Sequence, residues 1–259
     1  MTFLSVEYIL ASFLIFVRVG SLVMIAPFFS ASVFPVRVKI SFALITSFML
    51  YPVIPAANVM IATDSEVIIV LISILREVLT GAALGLVGQI VFAGLELGGR
   101  LISIEIALAF ANVIDSMTQQ QSAIVSTLFN YLAILLFLAV GGDKVYLLGL
   151  VNSFEHIPVS TARLEMTAPL FVEMVTFLFI TGIQIASPFL VVLLLLNLSF
   201  AIFARVMPQA NIFFIALPVK IGIGLILLLL VIPYLPVSFD ILFQKMYDYL
   251  SQMIETLMP

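Results

Sequence analysis

The chain has 259 residues, of which 64% are hydrophobic and only 9% are charged, and its formal net charge is −4. Soluble domains average roughly 45–50% apolar and about 25% charged residues, so this chain has too few polar side chains to coat a water-soluble core. Composition therefore excludes an ordinary soluble domain and predicts an all-α membrane protein built of packed helices. The sequence contains no basic run of the kind that binds nucleic acid, so no nucleic-acid partner is expected. It also contains no cysteine, which excludes disulfide and thiolate chemistry.

Hydropathy divides the chain into six long apolar segments. Each is near the roughly 20 residues that a helix needs to cross the hydrocarbon core, so the sequence predicts about six long, partly kinked helices arranged as helical hairpins. The tail after Asp240 has apolar residues at helical spacing with charges between them, which predicts an amphipathic helix at the membrane interface or against a partner. The six expected ranges are about 4–29, 38–55, 67–98, 123–148, 170–205 and 212–233.

Small residues recur along the third segment. In membranes, glycines at helical spacing let two backbones approach closely, because packing drives helix association there. Two interpretations stay open, packing within this chain and packing against another subunit. The candidate contact glycines are Gly81, Gly85, Gly94 and Gly98.

Ionisable residues inside apolar segments are costly and are functional hypotheses by default. Glu96 and Arg100 are four residues apart and can pair on one helical face, and they are candidate subunit contacts. Arg76 and Glu77 are adjacent and point in different directions, so they cannot simply neutralise each other. Structural ion pairs between subunits are favoured over a proton or ion pathway. The rest of the set is Arg18, Glu105, Asp115 and Glu173.

A polar strip of low charge, FANVIDSMTQQQS at 110–122, separates the third and fourth segments. It is too polar for lipid and too poor in charge for a loop in bulk water. One interpretation is a simple connector at the membrane surface. The other is a segment that lines or blocks a protein-enclosed, intermittently wet channel, where irregular backbone is tolerated.

Proline shapes the last two segments. Pro188 removes a backbone donor from the fifth, so a kink is expected there, and Gln184 and Ser187 are placed to satisfy the freed carbonyls. The stretch RVMPQAN at 205–211 predicts a tight turn between two helices, and Pro218 is expected to interrupt the sixth helix.

No motif in the sequence predicts catalysis. The single histidine, His156, lies in a polar stretch, and the chain has neither an HExxH zinc motif nor a Gly-Lys-Ser/Thr phosphate loop. A nucleophile elbow is also missing. We therefore expect no enzyme activity, no cofactor and no metal.

The stretch NLSFAIFARVMPQANIFFIALPVKIGIGL at 197–225 resembles the signature of the FliR family of flagellar export-gate proteins. Segments 18–44 and 106–142 resemble the same family, so the resemblance covers nearly the whole chain. The sequence departs from the family pattern at Ser116 (often Pro), at Ala216-Leu217 (often Gly-Phe) and at Gly141 (often Asn). The motif residues of the turn are Arg205, Pro208, Gln209, Asn211 and Pro218.

The resemblance implies a multi-pass protein of the bacterial inner membrane, at the flagellar basal body. It implies one export-gate domain, 1–259, with a FliP-like part at about 1–169 and a FliQ-like hairpin plus amphipathic helix at about 170–259. One copy would assemble with several FliP-like and FliQ-like subunits and an FlhB-like subunit, in contact with membrane lipid. Together they would form a larger helical channel through which unfolded polypeptides are exported.

The resemblance also implies that Glu105 to Ser122 plugs this channel. Phe110 is the first candidate to block the lumen, and the glutamine run is expected to offer hydrogen bonds without fixed charge. An injectisome homologue that exports virulence effectors and a proton-coupled small-molecule transporter are the alternatives. The candidate plug and gating residues are Leu108, Phe110, Val113, Ile114, Asp115, Met117, Gln119, Gln120 and Gln121, of which the glutamines are inferred from their polarity without charge.

Overall fold

The computed structural model describes residues 6–30, 34–54, 67–107, 124–209 and 211–259. These ranges form helices and short turns and contain no strand, which confirms the all-α membrane fold. Short 3-10 turns occur at Glu165–Thr167 and Ile232–Tyr234. The α-helices are α1 (Val6–Ile25), α2 (Val36–Leu50), α3 (Val67–Glu105), α4 (Ile124–Ala139), α5 (Gly142–His156), α6 (Ala168–Val206), α7 (Ile212–Val231) and α8 (Leu235–Leu257).

Each of the six apolar segments forms helix, but their lengths differ from the expected ones. Within the described ranges, three helical stretches are long and apolar enough to cross a membrane: α3, α6 with its preceding turn, and α7 continued into α8. The bent pair of α4 and α5 makes a fourth span if it is counted as one. α2 has 15 residues and falls short of a full span by length. The described apolar part of α1 is Ile9–Ile25.

The fourth segment is not the single helix expected at 123–148. α4 and α5 are bent by 69° at the break between them. Gly141 has a φ of 82°, a left-handed conformation that glycine adopts without a steric penalty. A Cβ at Gly142 would meet the ring of Phe137, with Cζ only 2.6 Å away, so the second glycine is needed for close packing. Hydropathy continues through the pair and hides the bend.

Proline acts differently in the last two segments. Pro188 lies inside α6, and the Ser187 hydroxyl donates to the Gln184 carbonyl at 2.8 Å. This carbonyl is the one that Pro188 leaves without its helical donor, so the expected role of Ser187 is confirmed. Pro218 does not interrupt its helix, because α7 runs from Ile212 to Val231 through it. Local adjustments and neighbouring groups let membrane helices tolerate proline.

The chain divides into two compact units, each assembled from segments distant in sequence. The first unit comprises 1–91, 137–174 and 243–259, and the second comprises 92–136 and 175–242. In the first unit Phe137 packs edge-on against Phe243, with ring centroids 5.6 Å apart. In the second unit Phe129 packs edge-on against Phe239.

The C-terminal helix α8 is amphipathic, as its sequence indicates. The apolar face of residues 243–257 is buried within the first unit, where Leu250 packs against Gly149 of α5. This face is therefore covered by the chain itself and is not free to lie on lipid. The outward stripe is polar and consists of Gln244, Asp248, Ser251 and Glu255.

Candidate functional site

The expected plug lies between α3 and α4, and its residues fall outside the described ranges. The structure instead describes the two ends from which this segment starts and returns. α3 ends at Glu105, and Ala107 takes a left-handed φ of 67° while its N–H donates to the Ile104 carbonyl at 3.0 Å. Such a residue commonly ends a helix and redirects the chain. The residues concerned are Leu108, Phe110, Val113, Ile114, Asp115, Met117, Gln119, Gln120 and Gln121.

The starting end is fixed by packing in the second unit. Ile106 is fully buried. A Cβ added to Gly224 of α7 would lie 2.6 Å from Ile106 Cγ2, closer than real Cβ contacts allow. Gly224 therefore gives Ile106 the space that holds the end of α3 against α7.

The returning end is fixed on α3 as well. The Ser126 hydroxyl of α4 donates to the Glu96 carbonyl at 3.1 Å. A Cβ at Gly99 would lie 2.6 Å from Ser126 Cα, so the two backbones are in direct contact there. Gly99 and Ile106 are separated along one helix by a distance of about 10 Å. The described residues on the two sides of this segment thus pack close together along α3.

The predicted Glu96–Arg100 pair forms on the surface of α3. Arg100 Nε lies 3.1 Å from Glu96 Oε1, and the two side chains are 63% and 43% exposed, in the order Arg100, Glu96. An exposed pair of this kind contributes at most about 1 kcal/mol. Its contact with another subunit remains a prediction.

The candidate packing glycines contact helices of this chain. In the first unit, a Cβ at Gly81 would meet the Arg18 carbonyl of α1, and one at Gly85 would lie 2.9 Å from Ile25 Cβ. The other two face α6 in the second unit. A Cβ at Gly94 would lie 3.2 Å from the Leu178 carbonyl oxygen, and one at Gly98 would lie 3.1 Å from Ile185. These observations do not test whether the same glycines also contact another subunit, which stays a prediction.

Arg18 and Glu77 form a buried ion pair in the first unit. The sequence alone did not predict that these two residues pair. Arg18 Nε lies 2.6 Å from Glu77 Oε2, and Arg18 Nη2 lies 3.0 Å from Oε1. Both side chains are fully buried. Charges so placed require paired, hydrogen-bonded partners, because desolvation is expensive.

Further hydrogen bonds complete this cluster. Arg18 Nη1 donates to the carbonyls of Ser153 and Ile157, each at 3.1 Å, and so caps the C-terminus of α5, where a cation is favoured. The guanidinium carbon lies 4.2 Å from the centroid of the Phe154 ring. Glu77 Oε1 accepts the Ser160 N–H at 2.7 Å. We call this arrangement, Arg18 and Glu77 with their α5 and Ser160 contacts, the α1–α3–α5 clasp.

Ser160 is held by α3 at all of its polar groups. It has a φ of 72°, which is unusual for a residue other than glycine. Its carbonyl accepts from Arg76 at 2.8 Å, and its hydroxyl lies 2.7 Å from that of Ser73. Arg76 and Glu77 thus bind the same residue from neighbouring positions of α3. Arg18 and Glu77 were expected to pair with residues of other subunits, but they pair with each other within this chain.

The family-motif turn joins α6 to α7 and is exposed. The Met207 N–H donates to the Phe203 carbonyl at 2.8 Å, and the Phe214 N–H to the Asn211 carbonyl at 3.2 Å. These bonds lie at the end of α6 and the start of α7, so the helix stops and restarts around the motif as expected. Among the motif residues, Arg205, Pro208, Gln209, Asn211 and Pro218 are all exposed in the chain.

Apolar side chains cover α6 and α7 on nearly all sides. Only 11% of the most apolar stretch of α6 is buried, against 33% in α3. Lipid or other protein must cover such a surface. The most exposed side chains here include Leu195, Ile202, Phe203, Val206, Phe214 and Leu229.

Comparison with known proteins identifies the family. Residues 9–246 match the profile of the family described as bacterial export proteins, family 1. The chain belongs to this family. Its similarity to the FliR proteins extends over most of its length and confirms the resemblance seen in the motifs. The family and the apolar helices make it a multi-pass membrane component of bacterial protein export.

Three relatives illustrate the similarity. The flagellar biosynthetic protein FliR of Aquifex aeolicus is 31% identical over 253 residues, which is 96% of each chain. FliR of Pectobacterium carotovorum is 30% identical over 243 residues, 93% of this chain and 92% of its own. FliR of Escherichia coli is 28% identical over 241 residues, 93% and 91% of the two chains.

Proposed function

We propose that the chain is a core subunit of the flagellar type III export gate in the bacterial inner membrane, at the flagellar basal body. It assembles with FliP-like, FliQ-like and FlhB-like subunits into the channel that passes unfolded flagellar proteins. Membership of the bacterial export proteins and the FliR names of its relatives support this proposal.

The observation that carries the proposal is the length of the apolar helices. α3 and α6 each have 39 residues, which is about 58 Å at the helical rise. Membrane helices tilt by up to about 40°, and at that tilt such a helix still rises about 44 Å. The hydrocarbon core is about 30 Å thick. The hydrocarbon core alone therefore leaves part of each helix uncovered.

Partner subunits would cover the parts of these helices that extend beyond the hydrocarbon core. α6 carries no charge from Met174 to Ala204, and Leu194, Leu198 and Ile202 of its C-terminal half are exposed. A helix that is apolar all round is buried in a larger protein or in membrane. We assign the hairpin of α6 and α7, within the FliQ-like part at about 170–259, to packing against other subunits.

The plug is the second element of the proposal. An export channel must be closed when idle, and an apolar constriction closes by excluding water. We place Phe110 at this constriction, on the segment whose ends are fixed by Ile106 and Ser126. Ile106 directly follows α3 and Ser126 packs against Gly99 of α3, and ends held this close together suit a segment that projects into a lumen and returns. The glutamine run would then offer hydrogen bonds to an exported chain.

Replacing Phe110 with alanine is expected to make the assembled gate leak ions, because the largest apolar side chain of the stopper is removed. Cells that overproduce the gate should show slowed growth and faster dissipation of the proton gradient. The matched control is Phe48→Ala, the same change at an exposed position of α2 (72% exposed). If the Phe110→Ala gate assembles and is as tight as this control, Phe110 does not close the channel.

A further inference from the structure

Tyr146 of α5 reaches into the backbone of α3. It is buried, and its hydroxyl accepts the Gly88 N–H at 2.8 Å. The same hydroxyl donates to the Leu84 carbonyl at 3.3 Å. In an undisturbed α-helix these two backbone groups bond to each other. The phenol therefore contacts both ends of one hydrogen bond of the helical ladder.

Glycine at position 88 is what allows this contact. A Cβ there would meet the Tyr146 hydroxyl and would lie 2.9 Å from Pro27 Cδ. Any larger residue would push the phenol away from the backbone. The close approach is thus built from one glycine on α3, one tyrosine on α5 and a proline that follows α1.

An apolar helix cannot readily open one of its turns, because the freed N–H and C=O find no water. A tyrosine hydroxyl is both donor and acceptor, so it satisfies both groups at once. A side chain inserted into the ladder is a recognised cause of helix bending, and glycine adds backbone freedom at the same place.

We propose that Tyr146 makes residues 84–88 the hinge of α3. The phenol keeps both backbone groups bonded when this turn lengthens, so the helix bends here and not elsewhere in its middle. The proposal concerns the shape of α3 and stands apart from the export function. Beyond this point α3 carries Gly99, against which Ser126 packs, and it ends next to Ile106; Ile106 and Ser126 anchor the segment between α3 and α4.

Paired spin labels on α3 test the hinge directly, because the chain has no cysteine of its own. Leu75→Cys and Ile104→Cys place labels at positions that are 57% and 62% exposed, about 44 Å apart along a straight helix. The two positions share a face, so a bend of about 20° or more moves the labels by a few ångströms. Double electron–electron resonance on the full chain in lipid nanodiscs reports the distance distribution.

Tyr146→Phe removes only the hydroxyl, which leaves the Leu84 carbonyl as the helical acceptor for the Gly88 N–H. The distribution should narrow and its mean should shift by a few ångströms. Gly88→Ala excludes the phenol from the same site and should shift the mean in the same direction. Tyr131→Phe, at a 59% exposed tyrosine of α4, is the control and should leave the distribution unchanged.

The hinge is overturned if the Tyr146→Phe distribution superimposes on that of the unsubstituted chain, or if Gly88→Ala shifts the mean in the opposite direction. Size-exclusion chromatography shows whether each variant is folded. If Tyr146→Phe does not fold, the label distances in Gly88→Ala decide whether residues 84–88 are the hinge. Failure here would leave the proposed export function untouched, because the labels report helix shape and not transport.

Discussion

Replacing Arg18 with alanine is expected to destabilise the chain by about 3–5 kcal/mol, because it leaves Glu77 as a buried carboxylate without its cation. The same change also removes the cap on the Ser153 and Ile157 carbonyls. Denaturant unfolding in detergent, with the amount of chain in the membrane as a second readout, measures the loss.

The matched control is Arg100→Ala. It breaks an Arg–Glu pair of the same chemistry whose arginine is 63% exposed, and it should cost no more than about 1 kcal/mol. The double variant Arg18→Ala with Glu77→Ala should lose less free energy of unfolding than the sum of the losses of the two single variants. The reason is that the second substitution removes the carboxylate that the first leaves without a cation. An Arg18→Ala loss as small as that of Arg100→Ala would contradict the clasp.

Adding one methyl group at Gly81 is expected to destabilise the first unit by about 1–3 kcal/mol, the usual cost of overpacking. The new Cβ of Gly81→Ala would meet the Arg18 carbonyl and the Ser21 hydroxyl. Because one of these is backbone, α1 must move as a whole. Thermal unfolding in detergent, compared with the unsubstituted chain, measures the effect.

Gly222 of α7 provides the control for this prediction. A Cβ there would meet nothing within 4 Å, so Gly222→Ala should be neutral or stabilise the helix by up to about 1 kcal/mol. Equal stability of the two alanine variants would show that α1 and α3 are not in the close contact described for Gly81.

Local patterns in the sequence predict where the apolar helical segments lie. The fifth apolar segment was expected at 170–205, and α6 spans Ala168–Val206, because hydropathy and the charges at its two ends are properties of neighbouring residues. The hydroxyl of Ser187 was expected near the carbonyl freed by Pro188 for the same reason. Such features need no knowledge of the tertiary fold.

Local patterns in the sequence do not predict which distant residues come into contact. Arg18 and Glu77 were each recognised as costly charges, but their pairing spans 59 positions and has no local signature. Tyr146 and Gly88 are 58 positions apart. The apolar residues on both sides of Gly141 predict a continuous helix, and only the backbone conformation of the folded chain shows the break there.

Sequence and structure supply different parts of the candidate site. The plug residues around Phe110 came from family resemblance together with the low charge of their segment, and they remain predictions. The anchors at Ile106 and Ser126 emerge from the structure alone, because their glycine partners Gly224 and Gly99 are ordinary packing glycines in the sequence. Residue type could not distinguish these two from the other glycines of the apolar segments.

The central claim is that this chain works as one subunit of a larger export gate. Affinity purification of the tagged chain from membranes that also contain FliP-like, FliQ-like and FlhB-like subunits, followed by native mass spectrometry, tests it most directly. The expected result is a complex with one copy of this chain and several copies of the FliP-like and FliQ-like subunits. A monodisperse solitary chain that transports small molecules in vesicles would contradict the claim.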